Sequence, residues 1–165
     1  MVEIAKAADI SRQALYLQFS DRASLFLALA RYADEKRGLA PALECIRRAE
    51  SGLASLELLL SLRARMNPEI WPLHLVAQAL RHHDPAVERA FQDRLKNRLI
   101  VCRDIVETIN RDGLLRPDLP IDQATDQLWS ITSLGTWADL VLTRKWSSET
   151  YQTQLVLLIR RALFK

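Results

Sequence analysis

The sequence predicts an all-α protein, on three observations. Leu, Ala, Arg and Glu dominate the 165 residues, while glycine is held to 4 and proline to 6, a composition of good helix formers with few breakers. Apolar residues recur at i, i+3/i+4 and i+7 rather than alternating. Helix-start signals recur at Ser11, Ser20-Asp21, Asn67-Pro68, Asp84-Pro85 and Ser147-Ser148-Glu149, each a side-chain cap at a helical start and two of them followed by Pro at the first helical position. Eight or nine helices with short connections follow. With 49% apolar residues the chain can bury a core of ordinary size.

Taken in order, Ile4, Ala5 and Ala8 share one face of a first helix, and Asp9-Ile10 breaks its period. Ser11 caps a short second helix, Arg12 to Phe19, with Leu15 and Phe19 four apart and facing inward. Asp21 caps a third, whose stripe of Leu25, Phe26, Leu29 and Tyr32 runs at least to Lys36. Two helices joined by a tight turn, the second one short, make a helix-turn-helix, whose second helix can enter a DNA major groove. Its leading end, at Ser11, lies nearest the bases. Arg12 there can donate a bidentate pair to guanine, and Gln13 can pair with adenine. Tyr16, Gln18 and Arg22 are better placed for phosphate, which sets register without reading sequence.

Gly38 and Pro41 interrupt the third helix before Ala42 to Ala49 resumes. After the Ser51-Gly52 stop, Leu53 to Met66 turns Leu56, Leu59, Leu60 and Met66 inward. Asn67-Pro68 then predicts the start of a separate helix, with Trp71, Leu75, Ala79 and Leu80 on one side and Pro72 in its first turns. His82-His83 closes that helix. A long one follows from Ala86 to Arg111, its seam formed by Val87, Phe91, Leu95, Leu99, Cys102, Val106 and Ile109, and Asp112-Gly113 ends it. Beyond a loop at 114–120, Ala124, Leu128, Ile131, Gly135, Ala138 and Leu142 are spaced as a strict heptad seam on one helix. Gly135 and Ala138 make its middle small enough for another helix to approach closely. A last helix carries Tyr151, Leu155, Leu158, Ile159 and Ala162 on one face. Two such helices from each of two chains build a four-helix bundle on a two-fold axis. The same stripes equally suit burial within one subunit.

The run ADISRQALYLQFSDRASLF resembles the N-terminal signature of TetR-type transcriptional regulators: Ile10-Ser11 in the turn, then Leu15-Tyr16, Phe19, and Arg22 opening the next helix. Asp9 stands where that family usually has Gly, and Asp tolerates left-handed backbone better than most residues. The family carries a further helix before this motif, whereas this chain begins within a residue or two of it. The resemblance therefore implies a DNA-binding head over residues 1–38, incomplete at its N-terminus, followed by an effector-binding and dimerisation domain over 39–165. It further implies a ligand-responsive regulator, a repressor, that reads a palindromic double-stranded DNA operator as a homodimer joined through its last two helices. A small-molecule effector is expected between head and bundle, where Met66, Trp71, His74, Phe91, Trp129 and Trp137 are the bulky residues. Aromatics on an apolar helical face are also ordinary core, and His74 is the one that interrupts such a face. The alternative is a dimeric small-molecule-binding protein with a degenerate or truncated head.

Other classes find less support. No apolar run approaches the roughly 18 residues of a membrane span, and no signal-peptide pattern opens the chain. Cys45 and Cys102 read as buried free thiols, which points to the cytoplasm. A net charge of +3 permits nucleic-acid contact without indicating it. The cations Lys6, Arg12 and Arg22 are matched by Glu3, Asp9 and Asp21. The adjacent pair His82-His83 points in directions about 100° apart, so it lacks the i, i+4 geometry of a helical zinc site. No phosphate loop or nucleophile elbow is present, so neither an enzyme nor a cofactor is expected.

Overall fold

Side-chain caps start most of the helices at the places the sequence marks. In the computed structural model, which describes residues 1–165, the head consists of α1 (Val2–Ala7), α2 (Arg12–Gln18) and α3 (Arg22–Lys36). The body follows as α4 (Leu39–Arg47), α5 (Gly52–Arg81), α6 (Pro85–Arg111), α7 (Ile121–Ile131), the short α8 (Leu134–Trp137) running into a π-helical segment Ala138–Thr143, and α9 (Ser148–Leu163). Ser11, Asp21, Ser51, Asp84, Ser133 and Ser147 each accept a hydrogen bond from a backbone N–H of the helix they precede. Helices α5 and α6 form the long central pair, with α7 laid on α6 and α9 on α5. No helix is long and apolar enough to cross a membrane.

Two expected boundaries differ. Asn67-Pro68 does not open a new helix: α5 is one rod of 30 residues with Pro68 and Pro72 inside it. Both prolines lie on the exposed side, where the carbonyls they leave without a donor can turn to water, while Leu59, Leu60, Met66 and Asn67 are buried opposite. The heptad seam, by contrast, is not one helix. The Thr132 hydroxyl donates back to the Leu128 carbonyl at 2.7 Å and Ser133 caps α8, so the chain turns between Ile131 and Leu134. The π-helical segment that follows shifts the register again.

Several inward faces are also redrawn. In α3 the buried positions are Ala23, Ala30 and Ala33, and Leu29 and Tyr32 are exposed. That helix is apolar around much of its girth, so small residues settle which side can pack closely. Ile4, Leu75, Ala79 and Leu99 are likewise exposed. Cys102 is buried as expected, but Cys45 lies at the surface.

The main core lies between α5, α6, α7 and α9, with Leu56, Leu59, Leu60, Ile105, Ile109, Leu128, Leu155 and Ile159 almost wholly enclosed. Its tightest point is the crossing of the start of α5 with the end of α6. A Cβ on Gly52 would fall 2.6 Å from the Ile109 backbone nitrogen and 2.7 Å from its Cα. The Gly52 N–H donates to the Asp112 carboxylate at 2.7 Å. The C-terminus is tied down beside it, since the Arg116 N–H donates to the Leu163 carbonyl at 2.9 Å and the Lys165 N–H to Leu114 at 3.0 Å. Backbone cannot give way as a flexible side chain can. Gly52→Ala should therefore cost about 2 kcal/mol or more and lower Tm by roughly 4–8 °C, read by thermal unfolding against wild type.

Candidate functional site

Helix α1 ends in a left-handed residue, Asp9 at φ 53°, and the Ile10 N–H reaches back to the Ala5 carbonyl at 3.1 Å. That six-to-one closure redirects the chain within two residues. The Ser11 hydroxyl then accepts from the Ala14 N–H at 3.0 Å and fixes the start of α2. Leu15 alone of this helix is buried and anchors it to the head, with Phe19 partly covered just beyond. Everything the sequence assigns to DNA faces outward: Ser11, Arg12, Gln13, Tyr16, Gln18 and Arg22 are all exposed. Neither Arg12 nor Arg22 enters an ion pair, so both cations are unencumbered. Leu17, which sequence reasoning passed over, stands 82% exposed on the same helix. Asp21 caps α3, and hydrogen bonds from the Ser24 N–H and hydroxyl hold its carboxyl below the usual range. The geometry is that of an outward-pointing helix with a free polar leading edge.

The second cluster lies in the body. The Trp71 and His74 rings stack at 5.7 Å, Trp71 meets Trp137 at 6.2 Å, and His74 meets Phe91 at 5.7 Å. Trp129 joins from α7 through Arg98, whose guanidinium lies 4.0 Å above the indole ring and donates to the Trp129 carbonyl at 2.7 Å. Met66 is buried on α5 within the same core. The structure thus gathers the predicted effector residues along the inner side of α5, α6 and α7–α8. Two open clefts lie elsewhere, one at the head beside Tyr16 and Arg22, the other between α4, α5 and α6 around Arg47 and Arg111.

The predicted dimer residues divide. Ala124, Leu128, Ala138, Tyr151 and Leu155 are buried within their own subunit, so a partner cannot reach them. Ile131 is partly covered, while Gly135, Leu142 and Leu158 are accessible. A Cβ on Gly135 would meet only the Ser133 hydroxyl, at 3.6 Å, so the close approach expected at this glycine is not made within the chain. Leu157 and Leu158 present an apolar outer edge on α9, with Leu142 exposed on the preceding segment.

Residues 1–29 match the family model described as bacterial regulatory proteins, tetR family. Among solved structures, a TetR transcription regulator from Haloarcula marismortui superposes with a TM-score of 0.76 at 17% identity, covering 98% of this chain and 85% of that one. The ketosteroid transcriptional regulator KstR2 of Mycobacterium tuberculosis superposes with a TM-score of 0.67 at 19% identity, covering 98% and 83%. No curated protein matches the chain significantly.

His74 offers a test of the body cluster. Burial first, then the nearby Arg81 and Arg98, holds its imidazole below the ordinary histidine pKa. The unfolded chain therefore takes up a proton that the folded chain refuses, and stability falls as pH drops through about 6.5. Replacing the ring by His74→Gln should flatten the decline in Tm between pH 7.5 and 5.5 relative to wild type.

Proposed function

We propose that this chain, whose head belongs to the TetR family of bacterial regulatory proteins and whose fold is that of TetR transcription regulators, is a ligand-responsive repressor that reads a palindromic operator as a homodimer. The observation that carries the DNA-binding half is the exposed, unpaired leading edge of α2, with Arg12 and Gln13 in the first turn and Arg22 beside it. Arg12 and Gln13 read bases, and Tyr16, Gln18 and Arg22 position the helix on phosphate. Residues 1–38 serve as the head and 39–165 as the effector-binding and dimerisation unit.

The pairing surface is narrower than the heptad spacing implies, consisting of Gly135, Leu142, Leu157 and Leu158. It is apolar and accessible, whereas the other apolar residues of α7 to α9 are buried or partly covered. Two copies related through it form the four-helix arrangement and set the two α2 helices apart as an operator with two half-sites requires. An effector held among Trp71, His74, Phe91 and Trp137 shifts the population away from the DNA-competent arrangement by its difference in affinity for the two states.

Fluorescence anisotropy on operator DNA selected from a random pool tests the reading. Arg12→Ala should weaken binding about tenfold or more and relax specificity at one position. Tyr16→Ala should weaken binding to all sequences alike, and wild-type affinity should fall steeply with salt. Equal binding by all three proteins would overturn the assigned contacts, and failure of the wild type to hold any DNA would leave a dimeric small-molecule-binding protein with a degenerate or truncated head.

A further inference from the structure

Arg63 projects from the inner side of α5, one helical turn before Asn67, two before Trp71 and three before His74. Its Nε is fully enclosed and has no hydrogen-bond partner. Arg98 on α6, which covers Trp129, also has an enclosed and unpartnered Nε. Arg63 repels the charge of Arg98, and both guanidiniums act on Cys102 and Tyr151. No carboxylate pairs with either one, although the remaining acidic side chains of α5 to α7 serve other arginines or face solvent.

The surrounding groups share one deficiency. Asn67 Nδ2, Trp129 Nε1, Trp137 Nε1 and the Tyr151 hydroxyl are buried without partners as well. With the two arginine Nε atoms, that makes six enclosed donor-bearing groups, contributed by α5, α6, α7, α8 and α9. The two other enclosed atoms without a partner belong to Arg37 and Arg81, each of which has a carboxylate beside its guanidinium, Glu69 and Glu88 respectively. Burial keeps Tyr151 a neutral phenol, its pKa pushed up to about 12, and keeps Cys102 a thiol. Repulsion from Arg63 adds to burial in bringing Arg98 down to about 10, which still leaves it charged at neutral pH. Apart from the Arg98 bond to the Trp129 carbonyl, neither guanidinium finds a protein acceptor, and the enclosed N–H donors around them find none. An enclosed charge without a partner is destabilising, and each unmet buried donor calls for an acceptor such as a bound water or anion.

We infer that Arg63 and Arg98 form the anion-binding end of the effector site, and that the effector is a small organic carboxylate with a flat apolar body. The planar guanidinium fork fits a carboxylate with two parallel hydrogen bonds. Trp71, Trp137, His74 and Phe91, in ring contact just beyond, take the body. This inference rests on the effector half of the proposed function and not on its DNA half.

The experiment uses the full chain without DNA. Thermal shift and calorimetry are run with benzoate, phenylacetate and 2-naphthoate, with 2-naphthamide as the neutral counterpart, and with inorganic phosphate. At least one carboxylate should raise Tm and bind, while the amide and phosphate bind at least tenfold more weakly. Arg63→Met should weaken that carboxylate about tenfold or more. The same change, by removing an uncompensated charge, should raise the ligand-free Tm by about 3 °C. Should Arg63→Met not fold, Arg98→Gln is read for the same loss of affinity. The inference is overturned if no carboxylate binds, if amide and acid bind alike, if phosphate alone binds as well, or if the arginine variants bind the acid unchanged. Operator binding by the ligand-free wild-type protein is scored separately. A protein that holds operator but no carboxylate defeats this inference alone; one that holds carboxylate but no operator defeats the DNA reading alone.

Discussion

The head meets the body through one end of one helix, and any communication between them must cross that junction. In the last turns of α3, Arg37 pairs with Glu69 on α5 at 2.7 Å and Asp34 pairs with Arg94 on α6. Immediately afterwards Gly38, at φ 65°, turns the chain into α4, a conformation that a side chain would strain. Ion pairs that are this accessible contribute roughly 0–1 kcal/mol each, too little to hold a domain in place by strength. Their consequence is geometric: each long central helix holds one side of α3. A change in the spacing of α5 and α6 at this level rotates the head, because α3 is fastened to both.

The aromatic cluster of Trp71, His74 and Phe91 sits at that level. Glu69 is two residues from Trp71 on α5, and Arg94 is three from Phe91 on α6, so the aromatic rings and the head fastenings occupy neighbouring turns of the same two helices. At their other end, α5 and α6 are locked together by the Gly52 contact with the Ile109 backbone and by the Asp112 hydrogen bond. The opposite end is joined by the three-residue turn 82–84 and the Arg81–Glu88 ion pair, so a ligand changes the spacing of the two rods by bowing them between these ties, where the unpaired polar groups line them. Two-state behaviour of this kind is what a ligand needs in order to shift a population.

The head was legible because its signals are local. Ser11 and Asp21 cap the neighbouring backbone within three residues, and Asp9 adopts the left-handed turn that its side chain tolerates. The body was less so, because tertiary packing overrides local signals there. Asn67-Pro68 has the form of a helix start, yet Asn67 is 1% exposed and the continuous buried face of α5 carries the helix through both prolines. The heptad from Ala124 to Leu142 has correct spacing on paper. The hydroxyls of Thr132 and Ser133 break the helix midway, a competition that spacing alone does not register. In the sequence Arg63 is one arginine among many. Its signal was available in the spacing of Arg63, Asn67, Trp71 and His74 on one helical face, a cation where the neighbouring turns carry core residues.

What most needs direct measurement is the separation of the two α2 helices in the assembled protein. Leu17, exposed on α2, can carry a spin label as Leu17→Cys once the surface thiol is removed by Cys45→Ser, since Cys102 is buried. Dipolar electron resonance on the operator-bound protein should then give one intermolecular distance near a single turn of DNA, about 35 Å. No intermolecular coupling, or a distance that no pair of adjacent major grooves can accommodate, would contradict the account.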